Sequence, residues 1–102
     1  MSNEHELNAI VNGVMDKVGL VEDIQGAIAR IRARATDDDD IVTAEVDGMG
    51  TLTGLWIDDS IANSDARTVS ALIIATANQA SLNATTQRAA LLSQLQEGLE
   101  KP

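Results

Sequence analysis

Apolar residues recur along the first part of the chain at a spacing close to 3.5. Leu7, Val14, Val21 and Ile28 fall seven apart, and Ile10, Ile24 and Ile31 fill the position three later, with Lys17 the exception. This heptad seam predicts a helix over about 4–30 that lies along another helix. Gly13, Gly19 and Gly26 sit off the stripe and cost roughly 1 kcal/mol each relative to alanine. Packing, rather than intrinsic propensity, must therefore hold the helix.

The period then changes to two. Ile31, Ala33 and Ala35 alternate with Arg32, Arg34 and Thr36, and Val42, Ala44 and Val46 alternate with Thr43, Glu45 and Asp47. After Asp47-Gly48-Met49-Gly50, alternation resumes from Thr51 to Asp58, placing Leu55 and Ile57 on one face and Leu52, Gly54 and Trp56 on the other. The pattern predicts strands at about 41–47 and 51–58 joined by a tight hairpin, and a shorter strand at about 31–36. Asn63, Ser64 and Asp65 are all good N-cap residues, and Val69, Leu72 and Ile73 open a helical stripe just after them. Proline is absent before Pro102, so this second helix is expected to reach about Leu99. About 34 residues make a rod of roughly 50 Å, against a radius of gyration near 13 Å for a compact domain of this length. The rod must project or lie on a partner.

The predicted order is long helix, two or three antiparallel strands, long helix. This is a single α+β domain over 1–102, with no repeat and no interdomain linker. Trp56 is the only aromatic residue, with no Phe or Tyr, so the core must be thin and aliphatic. Both helices carry more apolar seam than one small sheet can cover, and a symmetric dimer would absorb the surplus. A plain two-helix hairpin is the competing architecture, disfavoured by the alternation around Trp56. Cysteine is absent, excluding disulfides, thiol catalysis and thiolate metal sites. The first residues are acidic, with no apolar run behind a basic patch, so a secretory signal is not expected. No stretch is apolar enough to span a membrane.

The net charge of −9 is unevenly spread. Residues 1–29 carry −4, residues 30–36 carry +3 and residues 37–59 carry −8, while 60–102 balance. An acidic surface repels nucleic acid at long range, so any phosphate contact must come from the one basic cluster.

Val42-Thr43-Ala44-Glu45-Val46-Asp47-Gly48, followed by Leu55-Trp56-Ile57-Asp58-Asp59-Ser60-Ile61, resembles the hairpin block of the YbaB/EbfC family of bacterial nucleoid-associated proteins. With the heptad helix before it and the long helix after it, the resemblance covers about 5–100. It implies a cytoplasmic, nucleoid-located homodimer whose sheets associate and whose paired helices stand out like tweezers. It also implies DNA binding with little sequence specificity, attributed to the helical arms and their flanks, without enzymatic activity or a cofactor. The sequence departs from many relatives in having one lysine in the first helix, and four aspartates at 37–40 where glycine and serine are usual. An alternative reading is an acidic protein-interaction module, adaptor- or chaperone-like and secretion-associated, that has lost DNA binding.

Arg30, Arg32 and Arg34 are the first candidates for phosphate contact, and two symmetry copies would present six guanidinium groups. They could equally pair with Asp37 to Asp40, or with Glu22 and Asp23. Lys17 and Arg88, on the helices, could touch phosphate or simply be solvated. Asp37 to Asp40 lack the alternating ligands and central glycine of a calcium loop and are expected to form a solvated turn, with no metal. His5, the only histidine, has nothing predicted to orient it for catalysis. Leu52 and Trp56 would form an apolar contact for another protein if neither the helices nor a second copy covers them.

Overall fold

The structure, a computed structural model, describes residues 2–101. Helix α1 spans Ser2–Ala29, strands β1 Arg32–Thr36, β2 Val42–Asp47 and β3 Leu52–Ile57 form an antiparallel sheet in that order, and helix α2 spans Ala66–Glu100. The α+β order expected from the sequence holds, and the sheet excludes the plain helical hairpin. A short 3-10 turn, Asp59–Asn63, separates β3 from α2 and had no signal in the pattern. Of the three candidate caps, Asp65 takes the role, accepting a hydrogen bond from the Thr68 N–H at 2.7 Å.

The core is built from small residues. Ala33 and Ala35 of β1 and Val42, Ala44 and Val46 of β2 are buried beneath Thr76, Ala80 and Ala84 of α2. These three helical positions are spaced four apart and make one stripe. The helix can approach the sheet closely because alanine faces alanine across the contact. The helix packs chiefly on β1 and β2. Leu52, Leu55 and Ile57 of β3 remain between 38% and 48% exposed.

Turns are fixed by aspartates. Asp47 Oδ1 accepts from Met49 N and Thr51 N, both at 2.9 Å, and Gly50 supplies the positive φ (85°) that closes the β2–β3 hairpin. Asp37 Oδ1 accepts from Val42 N at 2.6 Å and Ile41 N at 2.7 Å, organising the loop before β2. The outer edge of β1 is occupied in part: Asn83 Nδ2 of α2 donates to the Arg34 carbonyl at 3.1 Å. Among the described residues, the outer edge of β3 has no such cover.

The C-terminal half of α1 runs antiparallel to the end of α2. Leu20 packs against Gly98, where a Cβ would collide with it, and Lys17 Nζ donates to the Leu99 carbonyl at 3.0 Å. Residues before Lys17 continue past the end of α2 for about 22 Å. The expected seam is therefore only half used. Ile24 and Ile31 are buried, whereas Leu7, Ile10 and Val14 are exposed. The molecule extends 79 × 17 × 16 Å with a radius of gyration of 21.3 Å, as a projecting rod requires.

Candidate nucleic-acid interface

The period of two in β1 turns Ala33 and Ala35 inward and leaves Arg32 and Arg34 exposed on the opposite face. The register then sets their neighbours. Arg34 lies opposite Glu45, which lies opposite Gly54, and Thr43 lies opposite Trp56. Arg34 Nε donates to Glu45 Oε2 at 2.8 Å, and its guanidinium stands 4.5 Å from the centre of the Trp56 ring. Thr53 donates to the other Glu45 oxygen at 2.9 Å. The bond from Arg34, then that from Thr53, holds the Glu45 carboxyl below the usual carboxylate range. Gly54 makes the stack possible, because a Cβ there would overlap the tip of the Trp56 ring. Thr36 and Thr43 complete this face with a hydroxyl–hydroxyl bond of 2.8 Å.

Two expectations change here. Arg34 pairs with neither the 37–40 aspartates nor Glu22 or Asp23: its partner is Glu45, brought across by strand pairing, and this is the only ion pair among the described residues. Leu52 does not share a face with Trp56. A register irregularity at Glu45/Val46 sets Leu52 opposite Val46, on the helix-packed side, and gives Thr53 the reach to Glu45. Strict alternation cannot anticipate one extra residue.

Arg32 turns back on α1. Its Nη1 donates to the Ile31 carbonyl at 2.6 Å and the Ala29 carbonyl at 3.3 Å, placing positive charge at the helix C-terminus where the macrodipole favours it. Arg30, just beyond that terminus, is exposed. Together Arg30, Arg32 and Gln87 line a groove of about 560 Å³ between the end of α1 and the middle of α2, floored by Ala27, Ile31 and Leu91. Arg88 is exposed, one residue along α2 from Gln87. Lys17 lies far along α1 and acts as a strut to the end of α2. Gln87 carries no signal in the sequence, because nothing there tells which face of α2 meets the end of α1.

The aspartate loop is occupied by its own backbone. Three N–H donors, of Val42, Asp39 and Ile41, lower the Asp37 carboxyl below its ordinary value, the Val42 bond most. His5 is exposed on the projecting part of α1.

The arrangement offers hydrogen-bond donors and positive charge along a groove. No curated protein matches the chain in sequence. Among solved structures, uncharacterized protein HP0035 from Helicobacter pylori is similar in fold, with a TM-score of 0.61 and 18% identity, over 87% of this chain and 91% of that one. The sequence profile of one family matches residues 6–99, nearly the full length. That profile covers nearly the whole of the helix–sheet–helix order described above: the chain belongs to the YbaB/EbfC DNA-binding family.

Proposed function

We propose that the protein is a non-enzymatic, nucleoid-associated homodimer that grips duplex DNA by its phosphates, with little sequence specificity. The observation that carries this reading is the Arg30–Arg32–Gln87 groove, where two arginines face a common concavity on a chain of net charge −9. Arginine contacts to phosphate position a duplex but carry no sequence information, which accounts for low specificity. Arg88 extends the basic strip along α2. Arg34 contributes less, since Glu45 offsets its charge and Trp56 holds its orientation. Dimerisation is supported by β3, whose apolar side chains lack a cover and whose outer edge is unpaired. A dimer doubles the number of basic grooves and buries Leu52, Leu55 and Ile57. The acidity elsewhere orients the approaching duplex by repelling it from the helical arm and the 37–40 loop.

The test is fluorescence anisotropy with a random-sequence duplex across a salt series, beside analytical ultracentrifugation. Each phosphate contact contributes about 0.9 to the log–log salt slope. Arg30→Ala, removing one arginine per copy, is expected to flatten the dimer's slope by about 1.8. No binding even at low salt, or an unchanged slope in Arg30→Ala, would overturn the assignment. A monomer at micromolar concentration would overturn the dimer.

A further inference from the structure

Beyond the basic groove, a strongly apolar concavity lies at the other end of the molecule. Val14, Val18 and Val21 of α1, with Leu99 of α2, line a groove of about 430 Å³, and Lys17 and Glu22 are its only polar neighbours. It opens where α2 ends and α1 continues alone. Its apolar ridge extends outward through Val11 to Leu7, and both are exposed. Val11, Val14, Val18 and Val21 are spaced three, four and three apart, the ridge that receives a complementary helix. A contiguous apolar strip of this kind on a water-facing helix marks a binding surface.

The charges around it select the occupant. Residues 2–29 carry Glu4, Glu6, Asp16, Glu22 and Asp23 against Lys17, a net −4, and residues 91–101 add Glu97 and Glu100 against Lys101. DNA would be repelled, and the apolar floor offers nothing to phosphate. A second copy of α1 would bring the same −4 alongside. A basic partner gains where both of these lose. We propose that this groove is a docking site for an amphipathic helix of another protein, carrying an apolar stripe flanked by lysine or arginine. The helix lies along α1 in the place that α2 vacates, in the helix-in-groove mode. This site is separate from the Arg30–Arg32–Gln87 groove and does not depend on DNA binding.

The test uses the intact protein and a fluorescein-labelled peptide of about 20 residues, long enough to cover the projecting arm as a helix. One peptide carries leucines at helical spacing flanked by lysines, and a second carries glutamates in place of the lysines. The lysine peptide is expected to bind with micromolar affinity and the glutamate peptide at least about tenfold more weakly. Val18→Asp should weaken the lysine peptide at least about tenfold while leaving duplex affinity and circular dichroism unchanged. Val14→Gln should give the same loss without adding charge. Retained or tighter binding in Val18→Asp would mean attraction to surface charge alone and would overturn the proposal, as would failure of the lysine peptide to bind. A changed sedimentation coefficient in Val18→Asp would make the occupant a second copy, and loss of duplex binding would make it DNA. Either result refutes the assignment.

Discussion

Ala80→Leu tests whether α2 is seated by small side chains. Ala80 is fully buried in one cluster with Ala33, Ala44, Val46 and Ala84. Two effects of opposite sign compete. If space remained, the added leucine carbons would bury apolar surface and stabilise the fold, by up to about 2 kcal/mol. If alanine meets alanine at contact distance, the larger side chain must push α2 off the sheet, costing about 1–3 kcal/mol. The complete burial of the alanines on both sides favours the second effect. A loss of 2 kcal/mol is a large part of the roughly 5–15 kcal/mol available to a domain. It would lower the melting temperature by about 4–8 °C for each kcal/mol and the urea midpoint by about 1 M. The assay is urea unfolding followed by circular dichroism, with Leu82→Ala as the control. Leu82 is two residues along α2 and 60% exposed, so its truncation should stay within about 0.5 kcal/mol. Equal or greater stability in Ala80→Leu would refute close helix–sheet contact as the basis of the core.

Gly54→Ala should displace the Trp56 ring and break the Arg34 stack. Because Trp56 is the only tryptophan, its emission reads this directly, and a red shift is expected, with stability changed by no more than about 1 kcal/mol. An unchanged spectrum would contradict the geometry. The Asp37 carboxyl is lowered in the folded state, so its contribution is present above the unfolded value of 3.8 and is lost as pH falls through the folded value. Asp37→Asn should therefore be less stable than the parent between pH 5 and 7, with the gap closing below about pH 4. A gap independent of pH would assign the loop's order to something other than the charged carboxylate.

The architecture was legible in the sequence because its signals are local. A heptad at one end, alternation in the middle and a cap cluster at 63–65 fix five elements without any tertiary knowledge. The site was legible only in part. Alternation correctly put Arg32 and Arg34 on one face, but their partners depend on pairing between strands. Glu45 reaches Arg34 through the regular β1–β2 register and Trp56 through a β2–β3 register that includes the irregularity beside Val46, and the same irregularity moves Leu52 to the other face. The seam of α1 predicted a helical neighbour without saying where that neighbour stops. Whether Val14 and Val18 are covered depends on the length of α2, which ends beside Lys17.

The bond from Asn83 to the Arg34 carbonyl bears on how copies of the chain can gather. A fibril grows because every added molecule offers a fresh sticky flank. Here one flank carries two arginines and is partly engaged by a helix side chain, so the flank formed by β3 is the more open to a neighbour. In the proposed dimer, joined through that strand, the less open flank would hinder further addition, so a greasy strand at the margin need not seed polymers.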